Sequence, residues 1–281
     1  RYNLEKALDL QPNSSSVFLA FSKLFEMMGN TEQQAAFLLR AARASPTRPE
    51  IRLQLAELMR RHGDLSGAAR QYEAVLELSP DNETARFALG TICMRQNQLN
   101  EAMGHFRYII ARNPSAHDAH LNLAQCLYRQ EKYVLAVPVF QAALRGYRHH
   151  PQAQFLLAQC FYRLGDWDRA LVIMETLGEQ FPDDVQVLTA MGELYLKTDE
   201  LDCARDTFSR LRKKFPERSE FALKLARILL GLKRYQEAIG ILQELFVSHP
   251  GHIEGHRLLG DLYLEQKQYK DSLDEYKKTL L

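Results

Sequence analysis

The chain has 281 residues, of which 46% are hydrophobic and 25% charged, and its formal net charge at pH 7 is +1. This composition is typical of a soluble protein with enough apolar material for a core. A charge so close to neutral disfavours nucleic acid as a partner, since that function needs a concentrated basic excess. No apolar run reaches the roughly 18 residues of a membrane span, so no direct membrane insertion is expected.

Short stretches of the sequence recur at a spacing of 34 residues. The clearest case is AHLNLAQCLYRQ at 119–130, which returns as AQFLLAQCFYRL at 153–164. Steps of 34 residues from Ala124 in both directions reach a small residue every time. A fixed period of this kind indicates a repeat architecture for the whole chain. The small residues are Ser22, Ala56, Gly90, Ala124, Ala158, Gly192, Ala226 and Gly260.

Each period predicts two amphipathic helices joined by a polar turn. In 83–116, Leu89 and Phe106 lie on separate apolar stripes with i, i+3, i+4 spacing. We expect Asn97 to adopt the left-handed conformation in the turn and Asn100 to cap the second helix. A proline ends most units because it cannot extend a helix. The small residues then allow the two helices to cross closely.

This pattern resembles the tetratricopeptide repeat: a small residue at unit position 8, alanine at 20, an aromatic residue at 24 and proline at 32. The resemblance implies an all-α, right-handed superhelical solenoid of antiparallel helix pairs, with first helices lining the concave face. The slightly longer, RNA-binding pentatricopeptide repeat is disfavoured by period and charge. The predicted organisation is a second-helix remnant (1–14), seven complete units (15–48, 49–82, 83–116, 117–150, 151–184, 185–218 and 219–252) and a truncated eighth unit (253–281).

The junction between the fourth and fifth units departs from the pattern. Arg148 stands where the other units have proline, and Pro138 lies early in a second helix. At most one backbone hydrogen bond is lost at Pro138 if that helix starts late. We therefore expect any hinge to lie near residues 138–151.

Rows of equivalent residues on the first helices form the candidate binding surface. Unit position 13 is basic in five successive units, and amide, aromatic and apolar side chains recur on the same helix face. In the resembled family these positions project into the groove, so the rows suit a peptide with acidic and apolar groups. Alternatively, the cations only stabilise the helix ends, by about 0.3–1 kcal/mol, and the tyrosines only support neighbouring units. The candidates are Arg60, Arg61, Phe87, Arg95, Gln125, Tyr128, Arg129, Phe155, Gln159, Tyr162, Arg163 and Lys197.

Catalytic and cofactor motifs are missing from the sequence. It has no glycine-rich phosphate loop, GxSxG or HExxH, so we expect no enzymatic activity and no cofactor. Cys126 and Cys160 are interpreted as small core residues. A metal site is disfavoured because no carboxylate or thiolate completes the histidine clusters. These clusters are His117 with His120, and His249 with His252 and His256.

Two kinds of function fit these observations. The first is a non-enzymatic scaffold that binds a partner peptide or helix in the groove of units three to six, within a multiprotein assembly. The second is the interaction arm of a larger enzyme or secretion machine, because both ends of the sequence cut through a repeat. Self-association through the terminal repeat is a further alternative. On the last helix we expect partial exposure of Leu273, Tyr276, Leu280 and Leu281.

Overall fold

The computed structural model describes the backbone of residues 2–147 and 149–280 and the side chains of 6–147 and 149–280. Over this part of the chain it has 17 helices and no strand, which confirms the all-α class. The helices are α1 (Tyr2–Leu10), α2 (Ser15–Met27), α3 (Thr31–Ala44), α4 (Pro49–Arg61), α5 (Leu65–Leu78), α6 (Glu83–Arg95), α7 (Leu99–Arg112), α8 (His117–Arg129), α9 (Tyr133–Gly146), α10 (Pro151–Leu164), α11 (Trp167–Gln180), α12 (Val185–Lys197), α13 (Leu201–Lys214), α14 (Ser219–Gly231), α15 (Tyr235–Ser248), α16 (Ile253–Glu265) and α17 (Tyr269–Lys278).

The helices form two compact units, Arg1–Arg148 and His149–Leu281. In the first unit α2 packs on α3, α4 on α5, α6 on α7 and α8 on α9. In the second unit the corresponding pairs are α10 with α11, α12 with α13, α14 with α15, and α16 with α17. The boundary between the units falls within 138–151, while Arg148, the residue that replaces proline, lies outside the described residues. The hinge itself stays a prediction.

Close crossing of the two helices in a pair depends on the repeated small residues. A Cβ atom added at Gly90 would lie 2.8 Å from the ring of Phe106, and one added at Gly192 would lie 2.7 Å from the ring of Phe208. Both phenylalanines are fully buried. The aromatic ring of the second helix therefore occupies the space that a side chain on the first helix would need.

The turns between paired helices use left-handed residues, as predicted at Asn97, whose φ is 64°. The expected cap is wrong, however, because α7 already begins at Leu99 and has Gln98 at its N-cap. Asn100 is instead the second residue of the helix, and its side-chain oxygen accepts a hydrogen bond from Gln130 at 2.9 Å. Its amide is thus used between repeats and not for capping.

Helix α9 contains Pro138 in its interior and does not start late: it begins at Tyr133, five residues earlier. Since Pro138 has no backbone N–H, it cannot donate the helical hydrogen bond to the carbonyl of Val134, four residues earlier. Both residues are exposed, so water can supply the missing bond.

None of the described helices combines the length and the apolar character that crossing a membrane requires.

Candidate functional site

In the first unit, Arg60 and Arg61 both bind a carboxylate of their own helix. The Arg60 guanidinium donates two hydrogen bonds of 2.8 Å to Glu57, and Arg61 Nε donates a third at 2.9 Å. The Tyr72 hydroxyl donates to the same carboxylate at 3.3 Å. The guanidinium of Arg60 and the neighbouring donors lower the pKa of Glu57 to about 2. Two of the predicted cations therefore already have an internal anion.

Arg129 has a different role, because it binds the end of a neighbouring helix. Its guanidinium donates to the carbonyl of Met94 at 2.9 Å and to the side-chain oxygen of Asn97 at 3.1 Å. Met94 lies in the last turn of α6, where backbone carbonyls lack donors four residues ahead, and Asn97 lies in the turn that follows. Arg95 is the equivalent residue one repeat earlier; its side chain is exposed and forms no hydrogen bond or ion pair within the described residues. Equivalent residues of the basic row thus differ in whether they bind a neighbouring repeat.

The aromatic candidates of the first unit pack against second helices and keep part of their surface open. Phe87 is half-buried, and its ring meets that of Phe106 edge-on, with centroids 5.8 Å apart. Tyr128 is also half-buried and meets Tyr133 edge-on at 5.6 Å. Gln125 is half-buried as well. Support of the fold and contact with a partner are both compatible with these positions.

In the second unit, four of the five predicted residues line open pockets. Phe155 and Gln159 line a pocket of about 410 Å³ between α10 and α12. Tyr162 and Lys197 line the next one, of about 370 Å³, which extends to α14. Arg163 is exposed and lies outside both.

A third pocket, of about 400 Å³, follows between α14 and α16. The first and second pockets share Glu193 in their lining, and the second and third share Gly231. We call this series the second-unit groove. Its lining consists of Phe155, Gln159, Tyr162, Val185, Gln186, Thr189, Ala190, Glu193, Leu196, Lys197, Leu201, Arg218, Lys224, Arg227, Ile228, Leu230, Gly231, Lys233, Tyr235, Asp261, Leu264 and Glu265.

The middle of the groove is rich in cations. Lys224 forms an ion pair with Glu193 at 2.5 Å, and its ammonium lies 5.3 Å from the centroid of Phe208. Arg227 forms an ion pair with Glu254. Lys197 contacts the Trp167 ring, with its ammonium 5.8 Å from the centroid. Lys224 and Arg227 are not among the candidates predicted from the sequence, because they lie outside the row at unit position 13.

Two of the cysteines and one of the histidines singled out in the sequence lie in structural positions. Cys126 and Cys160 are fully buried, and burial raises their pKa to about 11 and about 12. His256 is buried and stacks on Phe246, with centroids 4.1 Å apart, while its Nδ1 lies 2.7 Å from Glu275. Within the described residues no group of three or more histidine, cysteine or acidic side chains could hold a metal ion.

Comparison with known families decides the identity of the repeats. One tetratricopeptide repeat (TPR) model matches residues 53–111, 94–151 and 189–253, and a second matches 127–194. The chain belongs to the tetratricopeptide repeat family. The 34-residue period and the buried small residues described above are therefore those of TPR helix pairs.

Solved structures share this fold. YrrB, a TPR protein with an unusual peptide-binding site, matches with a TM-score of 0.58 and 17% identity, covering 66% of this chain and 96% of YrrB. A TPR protein from Parabacteroides merdae has a TM-score of 0.58 and 16% identity over 95% of this chain and 99% of its own. Pseudomonas aeruginosa pilF has a TM-score of 0.56 and 18% identity over 74% and 94%. At these identities the similarity shows the fold alone, and no curated protein matches the sequence significantly.

Proposed function

We propose that this TPR chain is a non-enzymatic scaffold that binds a partner peptide or helix in the second-unit groove. The TPR fold is typical of protein–protein interaction. The observation that carries the proposal is the continuity of the groove: three pockets follow one another along α10, α12, α14 and α16 and share lining residues. A segment lying across these first helices would contact all of them.

The chemistry of the groove favours a partner with both apolar and acidic groups. Phe155 and Tyr162 supply aromatic surface, Gln159 supplies an amide, and Lys197 supplies a cation without a carboxylate partner among the described residues. Aromatic anchors surrounded by polar groups are characteristic of binding surfaces. YrrB, which has the same fold, is a protein with a peptide-binding site.

The first unit supports this proposal less strongly. Arg60 and Arg61 are bound to Glu57, and Arg129 caps α6, so a partner carboxylate would have to compete with internal contacts. Phe87, Arg95, Gln125 and Tyr128 stay predicted contacts.

The test is cross-linking from native extract with a photoreactive residue in place of Gln159, followed by mass spectrometry. The same protein carrying Tyr162→Ala and Lys197→Glu should lose specific partners. Lys213→Glu is a control of equal charge change on exposed surface of α13, a second helix, and it should retain them. Identical partner sets for all three proteins would contradict groove binding.

Self-association is a second candidate, supported by apolar exposure on α17 and just after its C-terminus. Tyr269, Leu273 and Leu280 are 65%, 55% and 85% exposed. Tyr276 is only partly exposed, and its hydroxyl donates to Asp261 at 2.6 Å; Leu281 lies outside the described residues. Sedimentation velocity should then show a concentration-dependent dimer that Leu273→Glu disrupts, and a monomer at all concentrations would refute this candidate.

A further inference from the structure

The middle pocket of the second-unit groove is open where a side chain is missing. At unit position 13, the preceding repeats carry Arg163 and Lys197, but the next residue of the row is Gly231. We infer that the pocket at Gly231 anchors one bulky apolar side chain of a partner segment that carries acidic residues beside it. This inference rests on the proposed function and specifies the partner of the same groove.

The packing of α14 does not require glycine at this position. A Cβ atom added at Gly231 would meet only Leu201 Cδ1, at 3.8 Å, which is ordinary van der Waals contact. Gly231 also lies outside the glycines with positive φ, which are Gly29, Gly63 and Gly165. A larger side chain could therefore be accommodated, and its absence is what leaves the space open.

Part of the pocket lining is apolar. Leu196, Leu201 and Ile228 line the pocket together with the ring of Tyr162. Its volume of about 370 Å³ lies within the range of roughly 300–1,000 Å³ that is usual for ligand sites. Burial of one leucine or phenylalanine side chain on such a surface is favourable because apolar area leaves water.

The charged part of the lining determines which charge the partner carries beside its apolar side chain. Lys197, Lys224 and Arg227 line the pocket together with Glu193. Glu193 pairs with Lys224 and Glu254 with Arg227, so three cations face two carboxylates and the local balance is positive. An acidic segment is therefore attracted and a basic one repelled.

A phage-displayed library of random peptides, selected on the intact chain, tests the chemistry. We expect enrichment of peptides with a bulky apolar residue flanked by aspartate or glutamate. Enrichment of basic peptides, or of acidic peptides without an apolar residue, would overturn the inference. If no peptide is enriched and the groove variants also lose no partner, the proposed function itself fails.

A filling substitution tests the location. Gly231→Leu should keep the helical content and weaken binding of the enriched peptides by about thirtyfold or more, as expected for a blocked anchor. The control is Gly240→Leu, since a Cβ atom added at Gly240 on α15 meets nothing within 4 Å. It should change the dissociation constant by less than about twofold. Peptides that Tyr162→Ala weakens and Gly231→Leu does not would refute the anchor pocket and leave groove binding intact.

Discussion

Arg129 and Arg95 occupy equivalent positions one repeat apart and provide a matched test of what the basic row does. Both side chains are exposed, but only Arg129 donates hydrogen bonds to the C-terminal end of the preceding first helix, through Met94 and Asn97. Substitution by methionine keeps side-chain length and helix propensity and removes the donors. Each variant tests the contacts of one guanidinium.

We expect Arg129→Met to lower the free energy of local unfolding by about 1 kcal/mol. Charge-assisted hydrogen bonds contribute up to about 1.5–3 kcal/mol, and exposure to solvent and salt reduces this contribution. A cation at its own helix C-terminus contributes about 0.3–1 kcal/mol at low ionic strength and less when salt screens it, and this contribution is lost in both variants. Arg95→Met, with no bond to lose among the described residues, should therefore cost no more than about 0.5 kcal/mol.

Hydrogen exchange is the suitable assay because stacked repeats open locally and not as one cooperative unit. In Arg129→Met, the amides of Asn97 and Gln98, in the turn that follows α6, should exchange about fivefold faster, whereas Arg95→Met, which removes only the helix-end cation of α6, should accelerate them by no more than about twofold. Equal acceleration in both variants would refute inter-repeat capping and favour general helix-end electrostatics. No acceleration in either would show that the Arg129 bonds contribute nothing.

Three further predictions follow from burial and charge. Gly192→Ala should destabilise the protein by about 1–3 kcal/mol in urea unfolding, because the new Cβ overlaps the fully buried Phe208; Gly240→Ala, in open space, should instead stabilise it by about 0.5–1 kcal/mol. Since the folded-state pKa of Glu57 is about 2, below its usual 4.5, its stabilising contribution is present above pH 4.5 and is lost as the pH falls towards 2. Glu57→Gln should flatten that part of the pH profile measured by thermal unfolding, and an unchanged slope would contradict the assignment. Cys160, fully buried with a pKa raised to about 12, should resist maleimide in the native protein and react after denaturation; mass spectrometry showing native labelling would disprove this.

The candidate site was predictable from the sequence only in part. The Glu57–Arg61 ion pair follows from i, i+4 spacing on one helix. The sequence therefore already indicates that Arg61 has a carboxylate partner within its own helix. The bond from Arg129 to Met94 could not be read in this way, because the acceptor is a backbone carbonyl one repeat away. Lys224 and Arg227 were not predicted because they lie outside the row at unit position 13. The interruption of that row at Gly231, in contrast, can be read from the sequence.

The sequence by itself determined the helix pairs, the left-handed turns and the close crossings at residues such as Gly90. Local periodicity, turn chemistry and side-chain size decide these features, and the 34-residue repetition makes each unit confirm the others. Only the tertiary structure decided which cations already bind a carboxylate or carbonyl of the chain and where a pocket opens. Those properties depend on groups brought together from different repeats, and a repeating pattern does not specify which of several equivalent side chains finds a partner.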